Sequence, residues 1–323
     1  MKYISHLMKE KEQDKDDVSI ITEGEDCKVF QIQNETGEGI MKSYCVFPGV
    51  SLMYNDFHMK SCESNFKIDT DSLCIDHCRE GRIEHEIRKG VYSYLGTGDL
   101  KIDPRIHHSG HVEFPFNHYH GISIFFNLEE ASKALPLEIR DFPVDLYEIQ
   151  KKYCDDKSPF IIKSDPSIEH IFSELYTVPQ KIKKAYFKIK ILELLLYLDA
   201  LELPSNCEEQ PYFYKTQVEK VKAIHTLMTE NLYKHYTLYQ LSKEFDIPLT
   251  SMKICFKNVY GNSIFAYMRF YRINMGAVLL RQNKECSIAE IAGKVGYDSP
   301  SKFSTAFKDV MGVSPLIYRK NSI

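Results

Sequence analysis

SIAEIAGKVGYDSPSKFSTAFKDVMGVSPLIYRK, residues 287–320, is the stretch on which the fold of this 323-residue chain turns. Ser287 stands where a helix N-cap belongs, and Ile288, Ile291 and Val295 follow at helical spacing. A short break, Gly296-Tyr297-Asp298, leads to a second helix with core positions Phe303, Ala306, Phe307 and Val310, one face at i, i+3, i+4, i+7. Phe307-Lys308 precedes Gly312, a residue suited to the left-handed position that ends a helix. The same order occurs upstream. Thr237 opens it, Leu238, Leu241 and Phe245 follow, and Asp246-Ile247-Pro248 makes the break. Met252, Cys255, Phe256 and Val259 then form the core face, Phe256-Lys257 precedes Gly261, and Ser263 and Tyr267 match Ser314 and Tyr318.

Two helices joined by a tight break, the second with a polar outer face, make a helix-turn-helix. A DNA major groove about 12 Å wide admits one helix, so a second must brace it from outside. Between the copies, residues 264–282 read as one helix; at about 1.5 Å per residue it spans roughly 28 Å. That sets the two second helices close to one DNA turn apart, about 34 Å. Charge agrees. From Lys215 onward there are 16 Lys+Arg against 8 Asp+Glu, while the rest carries 25 against 37, so the net charge of -4 hides a basic tail of +8 on an acidic body of -12. A plain helical bundle would call for neither the duplication nor the local basic charge.

Residues 287–320 resemble the signature of the AraC/XylS transcription regulators at Ile288-Ala289-Glu290-Ile291-Ala292, Gly296-Tyr297, Phe303, Phe307-Lys308, Gly312, Ser314-Pro315 and Tyr318-Arg319. The resemblance covers about 100 residues. It implies two helices inserted into adjacent major grooves, an activator role, RNA polymerase as a partner, and an N-terminal domain that binds an effector or dimerises. The chain departs from that pattern where the family's two reading helices carry arginine: Ile254 and Thr305 stand there, and Gly276 replaces the usual alanine of the joining helix. Base reading is therefore expected from Thr250, Lys253 and Ile254, and from Pro300, Ser301, Lys302 and Thr305. Lys257 and Lys308 are expected on phosphates.

The first half reads as short strands at 27–33, 39–47, 51–58, 72–78, 83–88, 90–95 and 120–127, separated by turns such as Pro48-Gly49 and Glu80-Gly81. The expected fold class is α+β: a cupin-like β-barrel with a helical dimerisation segment, then an all-α domain with two helix-turn-helix motifs joined by a long helix. The boundaries are 1–165 for the effector-sensing β domain, 166–203 for the helical segment, 204–214 for a linker and 215–323 for the DNA-binding domain. Helix 181–201 is apolar over more than one stripe, with Ile189, Leu192, Leu195, Leu196 and Leu198, which predicts a homodimer.

The sensor half resembles the PchR-like members of the same family over 47–58, 75–84 and 119–122. The effector-binding candidates are Tyr54, Asn55, His58, Arg79, Arg82, Glu84, His118 and His120. His107, His108, His111, His118 and His120 cluster, and the spacing of His118 and His120 on a strand would turn both imidazoles to one face. With no carboxylate at partner spacing, no metal is assigned and no cofactor is expected. Cys74 and Cys78 read as buried apolar cysteines on one strand face.

No Pro-Cys-His-Arg nucleophile and no Gly-x-Ser-x-Gly is present, so no enzyme is expected. Nine irregularly spaced cysteines fit a reducing bacterial cytoplasm, with nucleoid association when bound to DNA, and neither a secretory signal nor a membrane span is read. The expected partners are promoter DNA, RNA polymerase, an unidentified small-molecule effector and a second copy of the chain. Two alternatives stay open: a constitutive or partner-controlled regulator whose first half only dimerises, and a metal or siderophore sensor.

Overall fold

The computed structural model describes residues 17–24, 27–63, 71–106, 111–138, 141–155, 157–203, 212–283 and 285–321. The chain divides into two compact units, Met1–Tyr212 and Phe213–Ile323. The fold is mixed α+β: an antiparallel sheet that curls in the first unit, and helices in the second.

In the first unit β1 (Asp17–Glu23), β2 (Cys27–Asn34), β3 (Gly37–Phe47) and β4 (Val50–His58) pair in sequence order. Next come β5 (Ser61–Glu63), β6 (Ser72–Arg88), β7 (Val91–Gly96), β8 (Leu100–Asp103), β9 (His111–Glu113) and β10 (Tyr119–Asn127), which lies between β4 and β6. The curl comes from β6. Its first part pairs β10 and β8, and its second part pairs β7 and β9. Glu80-Gly81, expected as a turn between two strands, lies inside this one strand. The ladder skips Arg79, and Gly81 adopts φ +84, where a Cβ would stand 2.2 Å from the His118 carbonyl oxygen. Glycine here bends a strand instead of ending it.

Two helices stand in the span expected to be all β. In α1 (Leu128–Glu138), Leu128, Ala131, Ala134 and Leu135 are buried. In α2 (Leu146–Cys154), Asp145 caps the first turn by accepting from the Tyr147 and Glu148 amides, and Leu146, Ile149 and Tyr153 are buried. After β11 (Phe160–Ile162), which pairs β8, α3 (Pro166–Tyr176) is capped by Asp165 and buries Ile168, Ile171, Phe172 and Leu175. Strand alternation then divides the sheet. Val50, Leu52, Leu73, Ile75, Ile122, Ile124 and Phe126 pack under α3 and α4 (Lys183–Ala200). Phe57, Cys78, Ile83, Leu95, Val112, Phe114 and Tyr119 form a second core on the opposite face.

α4 is less surplus in apolar surface than its sequence suggests. Leu192, Leu195 and Leu198 are buried within the unit, and Lys190, at a core-facing position, reaches Glu174 at 2.8 Å and Glu193 at 2.5 Å. Ile182, Ile189 and Leu196 remain exposed. The linker expected at 204–214 lies outside the described residues except for Tyr212, Phe213 and Tyr214.

The second unit comprises α5 (Lys215–Glu230), α6 (Leu238–Glu244), α7 (Leu249–Tyr260), α8 (Ile264–Gln282), α9 (Ile288–Lys294), α10 (Pro300–Met311) and α11 (Pro315–Asn321). The sequence repeat becomes two helix pairs, α6 with α7 and α9 with α10. Thr237 and Ser287 cap α6 and α9 in reciprocal boxes with Gln240 and Glu290. Gly261 and Gly312 end α7 and α10 in the left-handed conformation at φ 75 and 76. In the second copy Phe303, Ala306 and Phe307 pack on Ile273, Ala277 and Leu280 of α8, with Ile291, Ala292 and Val295 closing the core. A Cβ at Gly276 would stand 2.9 Å from the Phe303 ring, so the glycine admits that ring against the helix.

Candidate nucleic-acid interface

The side chains that fix α7 and α10 in place also decide what they present outward. Met252, Cys255, Phe256 and Val259 are buried, so the 3.6-residue period leaves Thr250, Lys253, Ile254 and Lys257 exposed. Burial of Phe303, Ala306 and Phe307 likewise exposes Pro300, Ser301, Lys302, Thr305 and Lys308. All nine residues selected from sequence are thus surface residues on two equivalent helices.

Contacts within the unit bridge the copies. Arg272 of α8 donates to the Lys234 carbonyl oxygen at 2.9 Å, and Gly296, in the break of the second copy, abuts the Leu232 carbonyl of the loop before the first. A Cβ on Gly296 would stand 2.1 Å from that oxygen, and its φ is +81. Asp246 fills the matching break at φ 47; a short polar side chain tolerates this region. His225 of α5 stacks on Tyr260 at 4.3 Å and its Nε2 lies 2.9 Å from the Tyr267 hydroxyl. Burial pulls its pKa down to about 4, so the ring is neutral near pH 7.

Sequence reasoning missed Arg269. It stands on α8, off both α7 and α10, yet it lines one open cleft with Ser301, Lys302, Thr305, Ala306 and Asp309. A pairing between residues 40 apart in sequence leaves no local periodic signal.

In the first unit the eight effector candidates do not form one site. Tyr54, His58 and His120 lie on the sheet face that packs under the helices, whereas Asn55 faces the other way. Tyr54 donates to the Leu175 carbonyl oxygen at 2.6 Å. His120 meets Tyr176 edge-on with centroids 5.7 Å apart, and the Arg79 guanidinium lies 4.6 Å above the same ring. His58 is exposed beside Asp56. Arg82 lies over Gly96, Glu84 is buried and accepts from the Tyr94 hydroxyl at 2.6 Å, and the Nδ1 of His118 lies 3.1 Å from the Phe116 carbonyl oxygen.

Tyr54, Arg79 and His120 therefore meet at Tyr176, and a residue absent from the sequence selection joins them. His77 is 1% exposed and stacks on Phe172 at 4.2 Å. Among the described residues neither of its ring nitrogens, nor the Tyr176 hydroxyl, has a hydrogen-bond partner. Glu169 Oε1 is 3.5 Å from Nε2 without hydrogen-bond geometry. Burial draws the His77 pKa down to about 4.

On the opposite face Asp76 binds Arg105 at 3.0 Å and Lys101 at 3.1 Å and accepts from the Ser123 hydroxyl, which accepts from Asn55. Burial alone would raise this carboxyl, but the two cations hold it well below the usual carboxylate range. Cys74 accepts from Arg105 at 3.2 Å, so its surroundings are polar and not the apolar ones expected. Cys78 does sit in the apolar core. Among the described residues no three His, Cys, Asp or Glu side chains are placed to hold a metal ion; His107 and His108 lie outside those residues. No helix of the described residues is long and apolar enough to cross a membrane.

A family model described as a helix-turn-helix domain matches residues 241–321. The chain is 22% identical over 185 residues to the transcriptional activator RhaR of Mannheimia succiniciproducens, covering 56% of this chain and 66% of that one. It is 33% identical over 88 residues to a Streptomyces lividans protein described as an AraC-like transcription regulator, covering 27% of this chain and 29% of the other. The solved C-terminal domain of AraT, a response regulator from Geobacillus stearothermophilus, is 31% identical, covering 32% of this chain and 84% of that domain, with a TM-score of 0.30. Residues 241–321 of the C-terminal unit thus match a helix-turn-helix domain, and this region is similar to an AraC-like transcription regulator. The chain spans 66% and 29% of the two full-length relatives.

Proposed function

We propose that the chain is a sequence-specific DNA-binding transcription regulator of bacterial cytoplasm, an activator working with RNA polymerase, and not an enzyme. Each helix pair of the second unit is one helix-turn-helix motif, so α7 and α10 read successive major-groove segments. The observation that carries this reading is the pair of equivalent helices with Thr250, Lys253, Ile254 and Lys257 exposed on one and Pro300, Ser301, Lys302, Thr305 and Lys308 on the other, in a segment of net charge +8. Lys253 and Lys302 reach guanine or phosphate-flanked edges, Ile254 suits a thymine methyl, and Lys257 and Lys308 bind phosphates.

The first unit is a cupin-like sensor that binds a small-molecule effector, and α3 and α4 carry the change to a homodimer contact. The three candidates that meet at Tyr176 support that placement, because this cluster lies directly against α3. A ligand there would satisfy the unpartnered nitrogens of His77 and shift α3 against α4.

Titration of a mixed-sequence duplex with the full chain tests the DNA reading. With about six phosphate contacts, affinity falls by about a thousand-fold between 50 and 200 mM salt. A flat salt response, or no binding at 50 mM, contradicts it.

A further inference from the structure

The cleft between α8 and α10 carries an assignment beyond the reading helices. Its volume is about 350 Å³, and Arg269, Ser301, Lys302, Thr305, Ala306 and Asp309 line it. Arg269 Nη2 donates to Asp309 Oδ2 at 2.7 Å. Both side chains are about half exposed, at 48% and 57%. Ser301, Lys302 and Thr305 belong to the face assigned to DNA, so the cleft opens on that face.

We propose that this cleft seats a backbone phosphate of the bound duplex, with Arg269 as its ligand and Asp309 as the group that occupies Arg269 until DNA arrives. The assignment rests on the DNA-binding reading. Three observations support it. The cleft sets the Arg269 guanidinium beside Ser301, Lys302 and Thr305, on the edge of the face assigned to base reading, and its one carboxylate is already engaged by Arg269. α7 and α10 carry no arginine, so the guanidinium on this face comes from the joining helix. An exposed Arg–Asp pair contributes little, whereas a phosphate offers the guanidinium a charge-assisted, two-pronged partner, so the exchange favours DNA. Because Arg269 stands on the helix outside the groove, it meets the sugar-phosphate backbone and not base edges.

The test uses the full-length chain, a 25-base-pair mixed-sequence duplex as probe, and sodium chloride from 50 to 200 mM. Arg269→Ala lowers affinity and reduces the slope of log affinity against log salt by about 1, with sequence preference unchanged. Asp309→Asn raises affinity at every salt concentration. Circular dichroism and thermal midpoints of both variants match the wild type. If Arg269→Ala keeps the wild-type affinity and slope, the assignment is wrong while the DNA-binding reading stands. If Asp309→Asn weakens binding as much as Arg269→Ala does, the ion pair builds the interface and does not wait for a phosphate. A shift of preference at one base position in Arg269→Ala makes it a base reader, which also overturns the assignment. Absence of salt-dependent binding by the wild-type chain overturns both readings.

Discussion

At Gly296 the backbone conformation and the packing impose the same demand. Its φ of +81 is costly for any residue with a Cβ, and that Cβ would meet the Leu232 carbonyl oxygen at 2.1 Å. Gly296→Ala is expected to cost more than about 1 kcal/mol in chemical denaturation and to weaken DNA binding at temperatures where the fold persists. An unchanged denaturation midpoint would show that the contact between the two copies is not rigid. His77 makes a pH prediction. Its pKa is drawn down to about 4, against 6.5 in the unfolded chain. Between those values the unfolded chain holds the proton and the folded chain does not, so stability falls as pH drops from about 6.5 toward 4. His77→Phe keeps a ring stacked on Phe172 and removes the titrating group. Urea midpoints at pH 7 and 4.5 should therefore differ less in the variant than in the wild type. Equal differences in the two proteins would refute a neutral buried His77.

At the scale of elements, α4 is the helix to test. Ile189 and Leu196 stand exposed seven residues apart on one face of α4, with Ile182 exposed just before its first turn, while Leu195 belongs to the core. Ile189→Glu with Leu196→Glu should convert a dimer to a monomer in sedimentation at micromolar concentration without loss of helix. A wild-type chain that sediments as a monomer removes the proposed dimer. Legibility also varied by element. The repeat marks α6, α7, α9 and α10, because α6 and α9 each open on a capping box and α7 and α10 each carry four apolar positions and a glycine stop. α2 carries a cap at Asp145 and a helical period at Leu146, Ile149 and Tyr153, but its nine residues span too few turns for that period to stand out beside the strands. β5 and β9 have three residues each, too few for alternation to register. The sensor candidates scattered because a one-residue step along a strand turns a side chain to the other face, as Tyr54 and Asn55 do. His77 and Tyr176 come together only through the packing of α3 on β6.

For the whole molecule, the charge asymmetry and the repeat support the arrangement we propose: α7 and α10 as reading helices about one DNA turn apart on either side of α8, and the acidic unit upstream in the chain as the sensor. We propose that a single chain reads two blocks of sequence with α7 and α10. Selection of full-length protein on a pool of randomised duplexes tests it most directly, run in parallel with Lys253→Ala, Lys302→Ala, Lys257→Ala and Lys308→Ala. An enriched site with two conserved blocks whose centres lie about 10 base pairs apart is expected. Lys253→Ala should relax one block and Lys302→Ala the other, each by about 1–3 kcal/mol, while Lys257→Ala and Lys308→Ala lower affinity for all sequences alike. A pool that shows no enrichment, or a site left unchanged by all four substitutions, would contradict the account.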